Sequence, residues 1–302
     1  MKRKTKIWLM TATLFIIVGL LAFVLIMSIS GWNFNMLSTV KMQTITHEIS
    51  QNFNQISIET ETADIRLVKA VDGVNKAVCY EEENLSHTVE VQDGVLTVKA
   101  QNQKAWYEYI GVNFTQPTLT LYVTETEFTS LSIKSSTGDV QMQEVVTDLL
   151  KIETSTGDID VENSNFGTID IAVSTGDVEL KSVVVESDIK IAVSTGDVEL
   201  SNVTCRNLNT NGSTGDIVLR SVKTIEKMTI KRSTGDVQFA LCDAGEILVK
   251  TFTGDVKGSL VGDKDFVAKS DTGSVKVPET HTGGKCEITT TTGDIKIEIK
   301  QS

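Results

Sequence analysis

The sequence predicts an all-β protein, a parallel β-solenoid with 19–20-residue turns preceded by one transmembrane helix. Three observations carry that expectation. Thr-Gly-Asp recurs from the middle of the chain to its end, with the glycine at Gly138, Gly157, Gly176, Gly196, Gly215, Gly235, Gly254 and Gly293 and a variant copy at Thr272-Gly273-Ser274. Successive glycines lie 19 or 20 residues apart, and a fixed period of that length marks a stacked-repeat protein. Aligned on those glycines, the chain resolves into apolar columns seven and five places before and two and four places after. Charged and hydroxyl residues stand between them, which is the period-two pattern of strands with one buried face. The third observation is Ile7–Ile29, a stretch of 23 residues without a charge.

In chain order, residues 1–6 form a basic tail carrying Lys2, Arg3, Lys4 and Lys6. Residues 7–29 are the expected anchor, because 23 residues at 1.5 Å each span a hydrocarbon core of roughly 30 Å. The flanking cations predict a cytoplasmic N-terminus and an extracytoplasmic C-terminal domain in the cell membrane. A cleaved signal peptide with Ser28-Ile29-Ser30 at its cleavage site is the competing reading, but the apolar run exceeds the usual signal core.

Residues 30–52 read as a polar stalk without clear periodicity. Residues 53–130 read as irregular opening turns and a cap. Ile56-Ser-Ile58-Glu-Thr-Glu-Thr62-Ala63-Asp64-Ile65-Arg-Leu67 fits the repeat columns with Ala63 in the glycine place. Asp93-Gly94 predicts a hairpin turn, and Thr118–Val123 a strand. An insertion at 101–116 holds Trp106, Tyr107, Tyr109 and Phe114, which serve either as a hydrophobic cap or as a binding surface.

Residues 131–302 are the regular solenoid. Each repeat supplies a strand, a tight corner, a second strand and a shorter third side with apolar residues such as Val145, Val183, Val203, Val222 and Val261 seven places after the glycine. At the C-terminus, Lys296, Glu298 and Lys300 place charges along the final strand, as an exposed edge requires.

The four cysteines are widely spaced and form no zinc or disulfide pattern. Cys286 and Cys242 fall in apolar columns, Cys205 near the third side, and Cys79 outside the regular repeats. His47, His87 and His281 stand isolated. No phosphate loop, dinucleotide fingerprint or nucleophile constellation occurs, so neither a cofactor nor an enzyme is expected. The net charge of −12, despite the basic tail, excludes nucleic acid as a partner.

The corner residues have local reasons to be there. Glycine takes the backbone angles that other residues resist, while Asp and Thr side chains satisfy backbone groups freed by the turn. Stacking would set Asp139, Asp158, Asp177, Asp197, Asp216, Asp236 and Asp255 in one column about 5 Å apart. Their repulsion must be offset by N–H groups, by water or by a divalent cation such as Ca²⁺. Each corner offers a single carboxylate, so any such ion would be bound weakly. Arg232, Phe252 and Asp271 depart from their columns and read as drift along the array.

The repeated motif behind one anchor resembles the bacterial "putative adhesin" family of unknown function, common in Gram-positive envelopes and in part encoded in envelope stress-response operons. The resemblance covers residues 53–302. It implies a right-handed solenoid outside the membrane, presenting a surface to an envelope protein or polymer. A calcium-stabilised adhesin and a polysaccharide-active enzyme are the alternatives.

Overall fold

The computed structural model describes residues 3–33, 40–103 and 115–300. The chain forms two units, one of residues 1–41 with 104–116 and one of residues 42–103 with 117–302. In the first, an α-helix covers Arg3–Ile29. Its segment Thr5–Ile29 is long and apolar enough to cross a membrane, and Trp8, Phe15 and Leu21 on it are exposed.

The second unit is a β-solenoid of about 20-residue turns. Its strands pair in parallel with like residues in register. Leu131 lies beside Leu150, then come Ile169, Ile189, Leu208, Met228 and Ile247. These side chains are buried to within 1%, and burying each contributes roughly 1.5–3 kcal/mol. Cys205, Cys242 and Cys286 are core thiols in the same sense, all buried.

Two corners shape each turn. At the first, the repeat glycines hold φ between +125° and +151°. A methyl group on any of them would sit 2.0–2.3 Å from the carbonyl oxygen of the corner residue one layer away. The second corner falls six places after the glycine, where Glu144, Asn163, Ser182, Asn202, Ser221 and Leu241 take φ of 49–58°. That left-handed corner has no glycine to announce it; Asn163 and Asn202 tolerate it most readily.

The ends of the stack depart from chain order. After the strand Val237–Thr253 the next layer is Gly284–Thr292, and only beyond that comes Lys264–Thr272. The following strands repeat this order, with Ile295–Lys300 lying between Val256–Val261 and Val275–Lys276. The C-terminal strand is therefore an inner layer at Ile295 and Lys296, which are paired on both sides. From Ile297 to Lys300 it pairs with Val256–Val261 alone among the described residues, so Glu298 and Lys300 place charges along an open edge, as the sequence predicts.

At the other end, Gln55–Thr60 lies between Val95–Asn102 and Glu127–Thr137. The chain between them adds one further parallel layer, Val95–Asn102 on Gln55–Thr60 and Thr118–Val123 on Asp64–Lys69. It forms antiparallel strands Lys76–Glu82 and Leu85–Gln92, with the second closing on Val95–Asn102 through Asp93-Gly94. Met42–Glu48, inside the expected stalk, is itself a strand paired antiparallel with Lys76–Glu82. Thr118–Val123 forms the strand its sequence predicts.

Candidate functional site

The aspartate column is a hydrogen-bonded ladder. Oδ1 of Asp64 accepts the Asp139 N–H, and the same bond passes through Asp158, Asp177, Asp197, Asp216, Asp236, Asp255 and Asp294 at 2.7–3.0 Å. It ends where Asp294 accepts the Ser274 N–H at 2.7 Å. Among the described residues Ser274 occupies the last layer and has no further amide to receive, which explains the missing carboxylate there. Backbone N–H groups thus offset the column's charge, and a carboxylate accepting them is stabilised in its ionised form. Accordingly, Asp294 is held below the usual carboxylate range, first by the Ser274 N–H.

The chemistry that the repeat does not explain lies where it breaks, at Arg232. Three places before each glycine the column reads Ser135, Thr154, Val173, Val193, Gly212, Arg232, Thr251, Ser270 and Thr290. Arg232 is only 4% exposed. Its side chain crosses the layer of Gly212, and Nη1 donates to the Val193 carbonyl at 2.8 Å, 39 residues earlier. A Cβ at Gly212 would stand 1.8 Å from that Nη1. The small residue and the large one are therefore a matched pair in adjacent turns, not drift.

Nε and Nη2 of Arg232 are buried and have no hydrogen-bond partner among the described residues. Burial pulls the guanidinium below its ordinary pKa, and Asp197 and Asp216 pull it back up. Arginine stays charged under any such shift, so a cation is held here without a direct carboxylate partner.

Above it opens a recess of about 510 Å³, rimmed by Lys231, Lys250 and Phe252. No carboxylate among the described residues lines it. Lys231 and Lys250 form no ion pair among the described residues, and neither do Lys190 and Lys223, whereas Lys181 pairs with Glu162, Lys227 with Glu246 and Lys264 with Asp243. Phe252 replaces the corner serine and is 64% exposed. A second recess of about 320 Å³, lined by Lys134, Glu153 and small residues, shares Ala192 and Ser194 with the first. Together they form a furrow along the corner flank with a cationic end.

Trp106, Tyr107, Tyr109 and Phe114 lie outside the described residues. His87, isolated in the sequence, bonds Glu81 inside the cap. The Gly212–Arg232 pair was readable from the column alignment as a vacancy beside an oversized side chain. Nothing in the sequence marked the unpaired lysines.

The Toastrack DUF4097 family matches residues 53–265 and 187–302. Among solved structures, the chain is similar to a "putative adhesin" from Bacteroides fragilis NCTC 9343, at 18% identity over 85% of this chain and 97% of that one, with a TM-score of 0.50. It is also similar to a "putative lipid binding protein" from Parabacteroides distasonis ATCC 8503, at 15% identity over 88% and 98% of the two chains, with a TM-score of 0.52. No curated protein matches.

Proposed function

The chain belongs to the Toastrack DUF4097 family, and on that premise we propose that it is a membrane-anchored surface-binding protein that holds an anionic envelope polymer along the furrow ending at Arg232. The observation that carries this reading is the recess itself: Lys231, Arg232 and Lys250 gather there without a lining carboxylate, on a chain of net charge −12. An anion meeting unpaired cations at a half-enclosed surface gains more than one meeting cations already neutralised. Phe252 adds an apolar face against which a sugar ring or an alkyl chain can pack. The furrow's small side chains leave room for an extended ligand.

The apolar segment Ile7–Ile29, with four cations in the six residues before it, supports an anchor with the solenoid outside. A role in the envelope, including its stress response, is consistent with that placement. The roles proposed are binding and presentation; nothing in the recess offers an acid and a base converging on one bond.

Polygalacturonate, a polycarboxylate, and neutral dextran are suitable probes with the full chain in detergent. The expected result is binding of polygalacturonate that weakens at least tenfold in Arg232→Met and in the Lys231→Gln/Lys250→Gln double variant, with dextran inert. Equal binding by wild type and both variants, or binding of dextran alone, would sink the reading. The double variant alters only exposed side chains, so it remains informative if Arg232→Met is poorly folded.

A further inference from the structure

The cap holds a second constellation that the furrow does not use. Cys79 and Glu81 alternate along Lys76–Glu82 and so face the same side. The turn after Glu82 brings the next strand back, and His87 on it turns inward. Sγ of Cys79, a carboxylate oxygen of Glu81 and a ring nitrogen of His87 all lie within 4.8 Å of one another. Cys79 is 0%, Glu81 1% and His87 6% exposed.

Hydrogen bonding orients the group. Glu81 Oε2 meets His87 Nδ1 at 2.7 Å and accepts the His87 backbone N–H at 2.8 Å. On the far side of the ring, Nε2 meets Thr60 Oγ1 at 3.1 Å. Glu81 Oε1, however, is buried and has no partner among the described residues. A buried carboxylate oxygen left bare is costly, and it is a free donor beside a thiol and an imidazole.

We propose that Cys79, Glu81 and His87 form a binding site for a zinc-type divalent cation. Thiolate, imidazole and carboxylate are the donor set such an ion takes. In a tetrahedral shell the donor atoms stand about 3.5 Å apart, so a movement of roughly 1 Å closes this one. Charge favours it too: one dication, one thiolate and one carboxylate sum to zero, which a dry interior tolerates. On binding, the thiol proton leaves to solvent and the ring proton shifts from Nδ1 to Nε2, which frees Nδ1 to join the thiolate and the bare Glu81 Oε1 as ligands. Nε2–H then remains for Thr60 Oγ1, the outer contact that fixes the ring of a ligating histidine. A ligating thiol must lose its proton, so the metal and the thiolate form together as the chain folds. The site would pin Lys76–Glu82 to Leu85–Gln92, the hairpin that closes the stack's first end.

The test is refolding of the full metal-free chain in detergent with cobalt(II), followed by absorption. The expected result is a sulfur-to-cobalt charge-transfer band saturating at one equivalent and displaced by zinc. It should vanish in Cys79→Ser, and the affinity should fall at least tenfold in His87→Ala. Absence of the band in the wild-type chain overturns the proposal, as does a band unchanged in Cys79→Ser. The wild-type spectrum decides by itself if either variant does not fold.

Discussion

At each Gly-Asp corner, two independent constraints act on one residue. The backbone angle of Gly176 is +141°, and a methyl group there would meet the Gly157 carbonyl oxygen at 2.1 Å. Gly73 has a positive φ of +72° but open space around it. Gly73→Ala should therefore cost about 1–2 kcal/mol from the backbone alone, and Gly176→Ala more than that, since two layers must separate. Urea unfolding of both variants measures the difference; equal losses would mean the layer contact is not limiting.

The aspartates separate charge from hydrogen bonding in the same way. Asp177 Oδ1 accepts the Asp197 N–H at 2.7 Å. Asparagine keeps that acceptor and removes a charge, so Asp177→Asn should leave the urea midpoint unchanged or raised. Asp177→Ala strands the amide and should cost about 1–2 kcal/mol. If the column were instead a cation store, asparagine would destabilise as much as alanine and added Ca²⁺ would raise the wild-type midpoint.

Asp160 shows the opposite case. Its Oδ1 is buried without a partner among the described residues, and burial, then Glu162 and Glu179, raise its pKa. A carboxyl whose folded pKa is raised destabilises the fold once it ionises. Asp160→Asn should raise the melting temperature at neutral pH, and the gain should shrink as the pH falls through that raised value. A gain that grows on acidification would contradict this assignment.

At the scale of the element, the repeat columns were legible because each layer uses the same residues for the same contacts. Their spatial order was not. Gly273 and Gly293 carry the same local signals, so the local pattern gives no sign that the later one stacks first. Ser274 in the aspartate place was the one hint, and it has meaning only once it is known to lie at the top of the stack. The cap was half legible for a related reason: Asp93-Gly94 announces its own turn, whereas Met42–Glu48 depends on a partner strand far along the chain. Cysteine pairs test the layer order. Thr253 and Thr292 are neighbours across adjacent strands, and so are Thr272 and Thr292. Thr253→Cys/Thr292→Cys should crosslink on oxidation, at about 5 Å between Cα atoms. Thr253→Cys/Thr272→Cys should not, being two layers and about 10 Å apart. The reverse outcome would restore simple chain order.

For the whole molecule, the repeated corner builds a scaffold and the exceptions to it carry the surface. The aspartates spend one oxygen each on the next layer's amide, which leaves the matched Gly212–Arg232 pair and its unpaired lysines as the chemically distinct place on the flank. Those lysines were invisible in the sequence, because whether a lysine is paired depends on the turns beside it. The most direct measurement is amide hydrogen exchange of the full chain with and without polygalacturonate. The account predicts slowed exchange centred on residues 211–213, 231–233 and 250–252, with the corners at 138–139, 157–158 and 176–177 unchanged. Protection spread evenly along those corners, or absent from the Arg232 recess, would contradict it.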